Sequence, residues 1–189
     1  MPAKKLISRD EIITAAFELV RKDGMEALNM RAVANKCNCS TQPIYLSFKG
    51  ADELKAEVAK KGYGEFTKFI ESEMASGKYP EYKSIGMGYI RFAAEEPELF
   101  KYLFMRRRDG EATEYEKFSY DASAMVIMKN YGLYKSDAEV LHAEMWIFVH
   151  GIATMIVTKY MDWDWETISK MVTDVYLGLS DRIKKGENK

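Results

Sequence analysis

The chain holds little of what metal sites and disulfide frameworks are made from: of 189 residues, two are cysteine and two are histidine. Cys37 and Cys39 stand one residue apart and form no disulfide framework. A structural zinc site needs about four ligands, and His142 and His150 lie roughly a hundred residues further on, so no metal is expected. Signatures of catalysis are missing too. The chain has no glycine-rich phosphate loop and no Gly-x-Ser-x-Gly. His142, Glu144 and His150 share one expected helix but not the H-E-x-x-H spacing, because His142 and Glu144 project about 200° apart around it. Neither an enzyme nor a cofactor is expected. We read no apolar run long enough to cross a bilayer and no signal-peptide core in MPAKKLISRDE, so a cytoplasmic protein is expected. With a formal net charge of −1, the whole chain also lacks the positive excess of many nucleic-acid binders.

The distribution of charge says more than its sum. Residues 1–50 carry eight cations (Lys4, Lys5, Arg9, Arg21, Lys22, Arg31, Lys36, Lys49) against five acids (Asp10, Glu11, Glu18, Asp23, Glu26), leaving the remainder acidic. A basic head on an acidic body turns the head toward phosphate. The apolar content of 47% is ample for a buried core.

Within the head, Asn29 to Phe48 reads as two short helices joined by a polar turn. Asn29 is placed to cap a segment whose Met30, Val33, Ala34 and Cys37 share one face. Asn38, which enters the left-handed conformation cheaply, is expected to reverse the chain. Ser40 is expected to cap the second helix by accepting from the Gln42 amide, with Pro43 tolerated in its first turn. Ile44 and Phe48 then face inward and leave Thr41, Gln42, Tyr45 and Ser47 outside. A helix start rich in donors fits the DNA major groove, where Gln pairs with adenine. On spacing alone, a helical hairpin buried in a core fits as well.

The remaining segments also read as helix. Ser8 and Glu11 form a capping box for a helix with the stripe Ile13, Ala16, Phe17, Val20, ending at Gly24. Lys4, Lys5 and Arg9 at its start are placed to meet phosphates. A long helix over about 52–76 contains Gly62 and Gly64, which mark either a bend or close packing. After the linker Gly77-Lys78-Tyr79-Pro80 come helices over Glu81–Glu95, Pro97–Met105 and Glu116–Asn130. Arg106-Arg107-Arg108 reads as a solvated helix end. Ser136 and Glu139 suggest a capping box for a helix to Tyr160, and Asp164 a cap for the last one. These two helices, about 137–160 and 165–184, are apolar enough to pair with their copies in a homodimer.

From Ser8 to Val58 the chain resembles the DNA-binding domain of the TetR family of transcriptional regulators. The resemblance rests on SRDEIITAAFELVRKDGMEALNM, RAVANKCNCS and TQPIYLSF followed by DELKAEV. Asn38 stands in for the usual turn glycine, Ser47 for a frequent histidine, and Ala51 for a lysine that touches phosphate, a role that passes to nearby Lys49. Trp146-x-x-x-His150-Gly151 is similar to a motif of one subgroup. The resemblance implies an all-α protein: an amino-terminal three-helix DNA-binding domain at 1–50, a linking helix at about 52–76, and a helical effector-binding and dimerisation domain at 77–189. It implies a double-stranded DNA operator and a small-molecule effector that releases a repressor. The candidate DNA contacts are Arg31, Ser40, Thr41, Gln42, Pro43, Tyr45, Ser47 and Lys49. The candidate effector contacts are Tyr89, Phe92, Phe104, Met125, Met128, Trp146 and His150. A helical adaptor that binds only protein is the alternative.

Overall fold

The computed structural model describes residues 7–106 and 114–185, the side chains of residues 114–116 and 118 excepted. Lys4, Lys5, Arg107, Arg108 and the Phe118 side chain lie outside the described residues. All regular structure among the described residues is helical. Two compact units divide the chain: residues up to 67 with 96–106, and residues 68–95 with those from 107 onward. This differs from the expected boundary, because the segment 96–106 belongs with the head and the long helix contributes to both units.

The first unit opens with α1 (Arg9–Asp23), whose start is the full Ser8/Glu11 capping box and whose end is Gly24 at φ 81°. A left-handed residue there suits glycine, and the space above its Cα is already taken by the Glu98 carboxylate. A 3-10 turn (Met25–Ala27) leads to α2 (Met30–Lys36), capped by the Asn29 side chain on the Ala32 amide, and then to α3 (Gln42–Ser47). The first part of α4 (Ala51–Ala75) and α6 (Pro97–Phe104) complete this unit. Ile12, Phe17, Val33, Ile44, Phe48, Leu54 and Val58 are sealed from solvent and form its core.

The second unit consists of the tail of α4, α5 (Glu81–Glu95), α7 (Glu114–Tyr131), α8 (Lys135–Val157) and α9 (Trp165–Lys184). α8 packs against α5, α7 and α9. Contrary to the sequence reading, α8 is long and apolar enough to cross a bilayer by length and composition. That composition has a local cause. Leu141, Met145, Val149, Ile152 and Ala153 are buried among three neighbouring helices, so α8 needs apolar residues on several faces. The tail of α4 meets α5 closely at Gly88, where an added Cβ would stand 3.0 Å from Ile70 Cα and 3.1 Å from the Phe69 carbonyl oxygen. Nearby, buried Glu73 is held by Arg91 at 2.7 Å.

Two expected caps are not formed. The first carbonyl accepted in α3 is that of Thr41, so Thr41 and not Ser40 is the cap residue, and no side chain caps this helix. In α8 the first accepted carbonyl is that of Tyr134, which puts Ser136 inside the first turn and leaves the Ser136/Glu139 box unmade. Asp164 does cap α9, accepting from the Thr167 amide at 2.8 Å.

Candidate functional site

α3 is anchored from below. Ile44 and Phe48 are buried to within 2% of full exclusion, and the Arg9 guanidinium lies 4.5 Å above the Phe48 ring. Arg9 also pairs with Glu53 and Glu57 of α4, at 2.8 and 3.0 Å. The sequence places Arg9 toward phosphate; in the structure its guanidinium faces these two carboxylates. Asn38, at φ 50°, provides the left-handed reversal between α2 and α3.

The outer surface of α3 is left polar and free. Ser40, Gln42, Tyr45 and Lys49 are exposed, while Thr41, Pro43 and Ser47 are partly so. Because neither Ser40 nor Thr41 caps the helix, their hydroxyls have no protein partner among the described residues, and neither has the Gln42 amide. Ser47 is different: its hydroxyl donates to the Pro43 carbonyl at 2.9 Å, so only its acceptor capacity remains. Lys49 uses its backbone N–H on Glu53 at 2.7 Å and keeps its ammonium outside. Arg31 on α2 is exposed and without an ion pair among the described residues. One outer residue escaped the sequence reading. Leu46 is 81% exposed, beside Tyr45 at 60%. An apolar side chain this open on a donor-rich helix suits contact with a thymine methyl, and Leu46, lying between Tyr45 and Ser47, was within reach of the same helical count.

The second unit contains a cavity of about 460 Å³ with a predominantly apolar wall, drawn from α5, α7, α8 and α9 and from Pro80. Of the expected effector contacts, Tyr89 and Trp146 line it. His150 lies behind them: its Nδ1 is 2.8 Å from the Tyr89 hydroxyl and its ring stacks on Trp146, with centroids 5.3 Å apart. The Trp-x-x-x-His spacing, one helical turn, produces that stack.

The other expected contacts lie elsewhere. Phe92 is fully buried against Phe69, Phe104 packs on Tyr63, Phe66 and Phe100 in the first unit, Met125 is 58% exposed on α7, and Met128 is half-buried off the cavity. The sequence reading missed Tyr82, Lys83, His142 and Tyr176 on the wall. Tyr82 OH and His142 Nδ1 are 2.9 Å apart, and burial pushes the His142 imidazole down to about 4. Burial likewise lowers His150 and raises Tyr82 and Tyr176, so all four are neutral near pH 7.

An amino-terminal helix-turn-helix with an open polar second helix, followed by a helical unit with an apolar cavity, defines the class of helix-turn-helix DNA-binding regulators. Residues 12–58 match the family model described as bacterial regulatory proteins, tetR family, and residues 82–175 match that described as tetracyclin repressor-like, C-terminal domain. The chain belongs to the TetR family, as a helix-turn-helix transcriptional regulator. It is 24% identical over 183 residues to an uncharacterized HTH-type transcriptional regulator of Mycobacterium tuberculosis, covering 95% of this chain and 82% of that one. A similar regulator of Haemophilus influenzae is 26% identical over 96 residues, 50% of this chain and 51% of the relative. The crystal structure of a TetR-like regulator from Rhodococcus superposes with a TM-score of 0.66 at 16% identity, covering 97% of this chain and 99% of that one.

Proposed function

We propose that this protein is a cytoplasmic repressor that binds a palindromic operator as a homodimer, one α3 per half-site, and leaves it when a small molecule enters the second-unit cavity. The observation that carries the reading is α3 itself: a helix held from inside by Ile44 and Phe48 whose outer Ser40, Thr41 and Gln42 side chains have no protein partner among the described residues. Gln42, Thr41, Tyr45 and Leu46 read base edges and the Ser47 oxygen accepts from a base amino group, while Arg31, Ser40 and Lys49 hold phosphate and Pro43 sets the helix start.

The dimer is supported by α8. Val140, Ile147 and Met155 are exposed apolar residues that recur on one stripe, and Gly151 on the same stripe has open space where a Cβ would stand. Such a stripe suits a copy of itself across a two-fold axis. Release is supported by the contact at Gly88. α5 supplies Tyr82, Ile85, Gly86 and Tyr89 to the cavity wall and meets the tail of α4 without slack, so a ligand that displaces α5 displaces α4. The extent of release is set by the effector's differential affinity for the two states. Sedimentation of the protein with an operator duplex tests the arrangement. Two protomers per duplex are expected, and Ile147→Asp should weaken both dimer and complex; a monomer bound with full affinity would overturn the reading.

A further inference from the structure

Among the described residues, the cavity wall carries a single formal charge. Lys83 is the only Lys, Arg, Asp or Glu among the lining residues, and the one lining histidine, His142, is neutral at pH 7. Lys83 Nζ donates to Ser169 Oγ at 2.7 Å and Thr173 Oγ1 at 2.8 Å, and sits 4.7 Å from the Tyr79 ring centroid. Thr173 in turn donates to the Ser169 carbonyl at 3.0 Å, so its oxygen is set to accept from the lysine. An ammonium has three donors, and two are placed on neutral oxygens. Lys83 makes no ion pair among the described residues, and burial holds its pKa below the ordinary lysine value. The wall therefore contains a half-buried cation whose charge no carboxylate answers.

The other polar groups of the wall are differently placed. Tyr82 with His142, and Tyr89 with His150, already satisfy one another in neutral pairs. Around them, Tyr89, Trp146 and Tyr176 present ring faces and edges to the space. A cationic ligand would enter beside Lys83 with no acid to receive it, leaving two buried charges of one sign. A neutral ligand would gain the aromatic wall but leave Lys83 as it is. An acid gains both.

We propose that the effector is an apolar aromatic carboxylic acid, its ring system against Trp146 and the tyrosines and its carboxylate on Lys83. This rests on the cavity being the effector site. Three compounds with one skeleton separate the two claims: 2-naphthylacetate, 2-naphthylacetamide and 2-(2-naphthyl)ethylamine, titrated calorimetrically into the full-length protein at pH 7. A charge-assisted hydrogen bond in a partly buried site is worth roughly 10- to 100-fold in affinity, so the acid should bind tighter than the amide by that factor, with the amine weakest. Lys83→Met should bring the acid down to the amide, and Lys83→Arg should keep most of the preference. Thermal melts of both variants identify any loss due to misfolding, and Lys83→Gln supplies a second neutral side chain. Equal binding of acid and amide, tightest binding of the amine, or an acid preference that survives in the folded neutral variants would overturn the acid assignment while leaving the cavity as a binding site. No binding by any of the three up to millimolar concentration would overturn the acid assignment and count against the cavity as the effector site as well.

Discussion

Gln42 and Lys49 sit a few residues apart and are expected to fail in different ways. Gln42→Ala removes a side chain suited to bidentate contact with adenine, so the preference for one base at one half-site position should drop by about 1–3 kcal/mol. Lys49→Ala removes a phosphate contact, so affinity should fall on every duplex and the log–log salt slope should become shallower by about one unit. Anisotropy with single-base variants of an operator checks both, and equal losses on all sequences for both variants would refute this division. His142 acts on stability. Its folded pKa of about 4 lies below the ordinary 6.5, so the unfolded chain takes up the proton first. Its contribution is present in full above about pH 6.5, falls by up to about 1.4 kcal/mol per pH unit toward pH 4, and is gone below. Denaturant melts between pH 7 and pH 4 should therefore show a steeper loss for the wild type than for His142→Phe.

Which elements form was readable from spacing and caps, but where two of them begin was not. Asn38→Gly should be neutral or stabilising and Asn38→Ala should cost about 1 kcal/mol, because its φ of 50° penalises a Cβ that has no polar side chain to compensate. Glycines in helices separate by what surrounds them. Gly64 has open space where a Cβ would stand, so Gly64→Ala should stabilise by about 1 kcal/mol, whereas Gly88→Ala drives a methyl into the backbone of α4 and should cost about 1–3 kcal/mol. Urea melts of the two variants decide both signs. Gly62, grouped with Gly64 in the sequence, instead lies under Leu103, 3.3 Å from where a Cβ would stand, a long-range neighbour that no local pattern reveals. The unmade caps at Ser40 and Ser136 share a form: each helix opens on a neighbouring carbonyl, that of Thr41 or Tyr134, whose own side chain makes no cap, a choice that the capping pattern in the sequence does not encode. At α3 that outcome leaves two hydroxyls free on the outer surface. The effector contacts were the least legible. Phe92, Phe104, Tyr89 and Trp146 are equivalent as large apolar residues on helices, and only the packing of α5, α7, α8 and α9 separates core from cavity wall.

At the scale of the molecule, an acidic chain binds a polyanion through cations left exposed beside its recognition helix. Arg9 and Arg21 are neutralised by carboxylates within the first unit, while Arg31, Lys36 and Lys49 stay exposed around α2 and α3. Binding should therefore be salt-dependent, with a slope set by a small number of phosphate contacts per protomer. The most direct test of the central claim, a sequence-reading α3, is fluorescence anisotropy of the purified protein against duplexes selected from random DNA, each paired with a scrambled control, across a range of salt. The account requires a selected duplex bound at least 100-fold tighter than its scrambled partner, with two protomers per site and affinity falling as salt rises. Equal, weak binding to selected and scrambled DNA at every salt concentration would contradict it.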